Sequence, residues 1–203
     1  MIINYAIIAI TVIVSLLAWN QTELFEKLKF NPYIIKNNKE YWRLGSYGLI
    51  HADWMHLGIN MFVLWSFGSI VVQYFQVIFP GKAIFYYLIL YIGGLLVANA
   101  SSFGKHKENP YYNAVGASGA VSAVLFSSIV LNPMGKIYLF LIPIGIPAIV
   151  FGILYLVYSV YMDKKAQDNV GHDAHFWGGV FGFVFTIALK PELIQHFFYE
   201  IFG

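Results

Sequence analysis

The stretch W-M-H-L-G-I-N-M-F-V-L-W-S-F-G-S-I-V-V-Q-Y-F-Q-V-I-F, residues 54–79, runs for 26 residues without an Asp, Glu, Lys or Arg. As a helix rising 1.5 Å per residue it would reach about 39 Å, more than the roughly 30 Å hydrocarbon core of a bilayer. Five more charge-free runs accompany it, at residues 2–19, 83–103, 115–131, 137–161 and 174–189, and all 22 charged side chains fall outside the six. Hydrocarbon offers backbone amides no partner, so each run is expected to be a helix. The expected fold is an all-α polytopic membrane protein with six transmembrane helices. It forms one domain over residues 1–203, without a separate soluble domain.

Composition agrees. The 203 residues are 59% hydrophobic and 11% charged, with a mean hydropathy of +0.67, where a soluble domain is about 25% charged. A water-soluble fold of this length cannot hide so much apolar surface. A net charge of +2 and the lack of a basic stripe exclude a nucleic-acid binder. The absence of cysteine excludes disulfides, a thiolate nucleophile and a Cys-ligated metal. The first run has no Lys or Arg before it and no A-x-A-like site after it, so it is expected to be a retained anchor.

Between the runs, residues 80–82 and 132–136 read as tight turns carrying Pro and Gly. Residues 20–53 form a long first loop, in which L-F-E-K-L-K-F, residues 24–30, reads either as an amphipathic interfacial segment or as a polar loop. Pro143 and Pro147 are expected to delay or kink the fifth helix. The tail, residues 191–203, suits a short interfacial helix. Alternating loops put Lys82, Lys136 and Lys190 on the side of the N-terminus. The opposite side receives Lys27, Lys29, Lys36, Lys39, Arg43, Lys105, Lys107, Lys164 and Lys165. The positive-inside rule alone assigns the larger set to the cytoplasm.

Polar residues inside spans are costly and mark function by default. His56 and Asn60 open the second run, Ser118 the fourth and His175 the sixth. Even-numbered spans enter from one side, so the four share a depth near one membrane face. A serine beside an imidazole is a nucleophile with its general base. His56 and Asn60, four apart, share a helix face and supply donors suited to an oxyanion. Ser118 sits in Gly116-Ala117-Ser118-Gly119, where the glycines permit a tight turn and close substrate approach, or alternatively serve small-residue helix packing. His175 precedes Gly178 and Gly182, a small-xxx-small face that would bring spans four and six together. Taken alone, it also reads as a lone interfacial histidine.

The remaining histidines have other readings. His51 is expected before the helix, in a structural role. His172 shares the face of His175 but lies nearer the mouth, and His106 and His196 look like surface residues. Asp173 points away from His175, which favours a dyad over a triad. His51, Asp53, His56, His172, Asp173 and His175 share one membrane face and are of types that bind zinc, but their spacings match no standard ligand pattern.

These residues resemble the rhomboid family of intramembrane serine proteases. Trp42-Arg43 looks like its W-R motif, and His51-x4-His56-x3-Asn60 is similar to its H-x4-H-x3-N signature. Gly116-x-Ser118-Gly119 resembles its G-x-S-G, and Ala174-His175-x-x-Gly178-x-x-x-Gly182 its A-H-x-x-G-x-x-x-G. The resemblance implies a Ser118 nucleophile, a His175 base, and an oxyanion hole of His56, Asn60 and the Ser118 backbone N–H. Trp42, Arg43, His51, Gly116, Gly119, Gly178 and Gly182 are implied as structural residues near the site. It implies cleavage of transmembrane or membrane-proximal segments of other proteins in the bilayer, with no cofactor, metal or nucleic acid. It further implies a bacterial cytoplasmic membrane location, a cytoplasmic N-terminus and a site opening outward, against the Lys/Arg count. Many members carry an aromatic residue four after the serine, stacked on the histidine. Here that position is Ser122, which leaves the group that orients His175 unassigned. The rival readings are a rhomboid-like binding protein without catalysis and a small-solute transporter, the latter disfavoured by polar groups near one face rather than at mid-membrane.

Overall fold

The computed structural model describes residues 1–138, 144–165 and 171–203. The chain opens with α1 (Ile2–Asn20), followed in the first loop by three short helices, α2 (Thr22–Leu28), α3 (Pro32–Asn38) and α4 (Arg43–Ser46), and a 3-10 turn at Tyr47–Leu49. Next come α5 (Trp54–Ile78), α6 (Ala83–Ala98), α7 (Ala100–His106) and α8 (Ser118–Leu131). A two-stranded antiparallel hairpin, β1 (Lys136–Tyr138) and β2 (Gly145–Pro147), pairs Ile137 with Ile146. The chain then continues into α9 (Ala148–Lys165), α10 (His172–Leu189) and α11 (Leu193–Phe202).

Each charge-free run contains a helix. Among the described residues, α1, α5 and the stretch Ala83–His106 are long and apolar enough to cross a membrane singly. The α10 and α11 pair, bent by 113°, adds a fourth if counted as one. The others fall short for plain reasons. The charged residues Asp163, Lys164 and Lys165 end α9, and α8 has only 14 residues.

Lipid as solvent decides which faces turn inward. The buried residues of α1 are Asn4, Thr11, Ser15 and Ala18, spaced along one face. Its exposed residues include Ile2, Ile10, Ile13 and Leu17. Hiding an isoleucine from hydrocarbon gains nothing, whereas small and polar residues let helices approach and hydrogen-bond. The Asn4 side-chain amide donates to the Leu64 carbonyl on α5 (3.0 Å) and accepts from the Tyr87 hydroxyl on α6 (2.7 Å).

At the centre stands α8, packed against α5, α6, α9 and α10. Every residue from Gly119 to Leu131 is buried. Its closest seam is with α10. A Cβ on Gly178 would overlap the Gly119 carbonyl, and one on Gly182 would lie 2.6 Å from the Ala123 Cα. Backbone cannot yield as a side-chain tip can, so only glycine permits this approach.

Several boundaries differ from the sequence expectation. The fourth helix starts at Ser118 rather than 115, because Gly116 leaves helical geometry at φ +107°. The fifth starts at Ala148, since residues 136–138 and 145–147 form the hairpin and Pro147 immediately precedes the first helical residue. Pro143 lies outside the described residues. The third run breaks at the buried Asn99 into α6 and α7. The segment at residues 24–30 is helical through Leu28, within α2. The sixth helix begins at His172, two residues before its charge-free stretch, and the tail folds as α11, the short helix expected there.

Candidate active site

Ser118 is the first residue of α8 and its only residue not fully buried. The turn before it is held by three elements. At Gly116 the positive φ suits glycine, and a Cβ there would run into the His56 imidazole. The Gly116 N–H donates to the Tyr47 carbonyl (3.0 Å), and the Ala117 N–H to Nε2 of His51 (3.4 Å). The amides of the first turn of α8 have no intrahelical acceptors, so they suit an anion beside the serine.

His51 is fully buried, as a structural residue should be. The Ser15 hydroxyl donates to the Leu49 carbonyl (3.0 Å), and its oxygen lies 3.1 Å from Nδ1 of His51. With that hydroxyl proton spent, Nδ1–H is the donor to Ser15, and Nε2 is left to accept from Ala117. The imidazole is therefore neutral. Burial, aided by the neighbouring His56 ring, accordingly holds its pKa down at about 3.

His56 lies in the first turn of α5. Its backbone N–H donates to Asp53, the N-cap, at 2.8 Å. The half-buried ring meets His51 edge-on, with centroids 4.9 Å apart. One turn deeper, buried Asn60 donates to the His56 carbonyl (3.0 Å), and its amide carries a second N–H. His175 occupies the first turn of α10, its backbone N–H bonded to the Gly171 carbonyl (3.1 Å). Its neighbour Ala174 packs its carbonyl toward Gly119. Ser118 and His175 thus flank the glycine seam at the N-terminal ends of α8 and α10. Both are half-exposed, as is His56.

Arg43 is buried inside the first loop, where it pairs with Glu40 (2.7 Å) and donates to the carbonyls of Glu26 (2.7 Å) and Lys29 (3.0 Å). Trp42 beside it is exposed. That loop reaches the turn before Ser118 through a reciprocal backbone pair between Phe30 and Ala114 (2.9 and 3.0 Å). An Asn31 bond to the Pro110 carbonyl (3.0 Å) and a Lys36–Glu108 ion pair reinforce the clamp. Asp173 faces away from the site. It accepts from Ser102 (2.9 Å) and pairs with Lys105 (3.6 Å). Among the described residues, no three His, Cys, Asp or Glu side chains converge as metal ligands.

Two histidines sit differently from expectation. His172 is buried rather than at the mouth, edge-on to both Tyr158 and His175. His106 is stacked on Tyr112 with centroids 3.8 Å apart, not a plain surface residue. Sequence reading missed Ser15, Tyr47 and Tyr155. The ring of Tyr155 lies 6.0 Å from that of His175 at 26°, and its hydroxyl is 2.7 Å from Ser122 Oγ. The Asp53 cap, by contrast, had a readable signal in an Asp directly before an apolar helix.

Residues 38–192 match the Rhomboid domain family model. The chain belongs to the rhomboid family. It is an integral membrane protein, and the matched region contains the whole of the site from Trp42 to Gly182. Similar proteins include the human mitochondrial presenilin-associated rhomboid-like protein, 27% identical over 154 residues that cover 71% of this chain and 36% of that one. The mitochondrial RHOMBOID-like protein 12 of Arabidopsis thaliana is 27% identical over 139 residues, 63% of this chain and 40% of its own length. The rhomboid protease GluP of Bacillus subtilis is 29% identical over 150 residues, 74% of this chain and 26% of its own. This rhomboid chain thus corresponds to between a quarter and two fifths of the length of these relatives.

Proposed function

We propose that the chain is an intramembrane serine endopeptidase that cleaves transmembrane or membrane-proximal segments of other membrane proteins. The observation that carries this reading is the half-exposed Ser118 opening an otherwise buried helix, across a glycine seam from His175 in the first turn of α10. His175 takes the Ser118 hydroxyl proton as the oxygen attacks the scissile carbonyl. The resulting oxyanion accepts from Asn60, His56 and the Ser118 backbone N–H. His175 then protonates the departing amine. Water, deprotonated by the same imidazole, hydrolyses the acyl ester and frees Ser118.

Depth fits the chemistry. Fourteen residues of α8 span only about 21 Å, less than a hydrocarbon core of about 30 Å, which supports a Ser118 set below the membrane surface. The half-exposure of Ser118, His56 and His175 supports a water-filled recess there. The family resemblance further supports six spans, a cytoplasmic N-terminus and a recess opening to the outer face.

A fluorophosphonate probe tests the reading. The adduct is expected on Ser118 alone, dependent on His175, and formed from the outer face of sealed vesicles. The other α8 serines serve packing. Ser127 accepts from Thr186 (2.8 Å), Ser128 donates to the Leu125 carbonyl (2.6 Å), and Ser122 meets Tyr155. An adduct on one of these overturns the site. Labelling from the cytoplasmic face overturns the topology. Absence of both labelling and cleavage of a model transmembrane substrate overturns the enzyme.

A further inference from the structure

Position 122 is one turn below Ser118 on α8, and its small side chain leaves room that a ring from another helix fills. Tyr155, in the middle of α9, reaches across to both partners of the seam. Its hydroxyl lies 2.7 Å from Ser122 Oγ on α8. Its ring lies 6.0 Å from the His175 imidazole on α10, inclined by 26°. That separation and tilt fall in the range of offset aromatic stacking. Phe126 and Phe151 flank the phenol, with centroids at 5.9 and 6.0 Å. His172 meets His175 edge-on at 5.8 Å. The imidazole thus has the phenol along one face and a second imidazole at right angles.

We infer that Tyr155 is a positioning residue for His175, and that Ser122 sets the position of Tyr155 by fixing its hydroxyl. The inference rests on the dyad reading above. A base delivers its proton only within a narrow orientation, and a misplacement of about 1 Å costs on the order of 10²-fold in rate. Ring stacking restrains the plane of the imidazole. The hydroxyl bond restrains the ring in turn, because a phenol tied to a buried serine on α8 cannot swing away from that helix. Ser122 is 2% exposed, so its bond is shielded from competing water. A side chain larger than serine at 122 would collide with Tyr155. The serine and the tyrosine therefore work as a pair drawn from two helices.

Four variants test this with a model transmembrane substrate. Tyr155→Leu is expected to lower kcat by about 10²-fold with little change in KM. Tyr155→Phe and Ser122→Ala are each expected to lose about 3- to 10-fold, the scale of one hydrogen bond. The double variant should be no worse than either, because both remove the same bond. Additive losses would overturn the role of Ser122. Unchanged kcat in Tyr155→Leu would overturn the role of Tyr155. If Tyr155→Leu does not fold, Ser122→Ala, which deletes a single oxygen, decides alone. NMR of the His175 ring provides a readout that needs no catalysis. The Cε1–H resonance should move when the Tyr155 ring is removed, in the wild type and in Ser118→Ala alike. A resonance that does not move overturns the stacking. A resonance that moves while the wild-type protein itself cleaves no substrate overturns the protease reading and leaves the pair standing.

Discussion

Two polar clusters are sunk in this helical bundle, and they differ in one respect. At one, Asn4 on α1 joins the Leu64 carbonyl on α5 and the Tyr87 hydroxyl on α6, and Asn4 and Tyr87 are both fully buried. At the other, Ser118, His56 and His175 are half-exposed, with His51, Asn60 and Ser122 buried. Both consist of groups that are expensive in lipid. The first is closed: its bonds are spent on holding three helices. The second has a buried layer that spends its bonds on position, and an outer layer that is left partly exposed. Polarity within a membrane nominates a site, but exposure separates glue from chemistry.

The sharpest way to break this contrast is to truncate one residue in each cluster. Ser118→Ala and His175→Ala should each abolish substrate cleavage while leaving a folded protein. In soluble serine proteases such losses are on the order of 10⁶ in turnover and the double variant is no worse. Residual turnover near wild type in either would place the outer layer with the glue. His56→Ala and Asn60→Ala come next, with turnover lowered by about 10²–10³ and substrate binding altered far less. Should both keep full turnover, the two residues belong to packing.

Asn4→Ala should do the reverse. It strips the Leu64 carbonyl and the Tyr87 hydroxyl of their partner, at a cost of about 1–3 kcal/mol. Thermal unfolding in micelles should register that loss, while turnover per folded molecule stays unchanged. A selective fall in turnover would mean that the closed cluster also serves the reaction.

The last test concerns pH. His51 is neutral in the fold, with its pKa held at about 3 by burial and by the neighbouring His56. The unfolded chain takes up that proton near the ordinary value of about 6.5. Stability from this residue is therefore complete above about 6.5 and declines as pH falls from there toward 3, by at most about 1.4 kcal/mol per pH unit. Melting curves of wild type and His51→Gln recorded from pH 7.5 to 4.5 should converge as acid is added. Parallel curves would contradict a buried, neutral His51.

Hydropathy made a helix in each charge-free run legible, because long apolar stretches in lipid must pair their own backbone groups. The polar residues that open α5, α8 and α10 were legible too, since they interrupt otherwise apolar runs. What hydropathy does not register is which face of a helix turns inward. The stripe of Asn4, Thr11 and Ser15 lay in plain sight, but its meaning depends on neighbours such as Leu49, Leu64 and Tyr87, 34 to 83 residues away. The start of α8 was displaced by three residues because a backbone angle at Gly116, not a side chain, ends the turn. Tyr155 had no local signal whatever. One tyrosine among several on a helix gains its role only from what stands across the gap.

The seam between α8 and α10 also sets how freely the chain can vary. Every single-base change that alters a glycine codon to another amino acid adds at least a Cβ. At Gly178 and Gly182 that atom meets backbone of the opposite helix, so even alanine is a damaging replacement and neither codon has a tolerated amino-acid-changing neighbour. At Gly58 on α5 and Gly104 on α7 the same atom meets nothing within 4 Å. There alanine should gain on the order of 0.5–1 kcal/mol of helix propensity. In a library of random variants these glycines will part into two groups. The two on α10 will accept nothing, and the two facing open space will accept alanine.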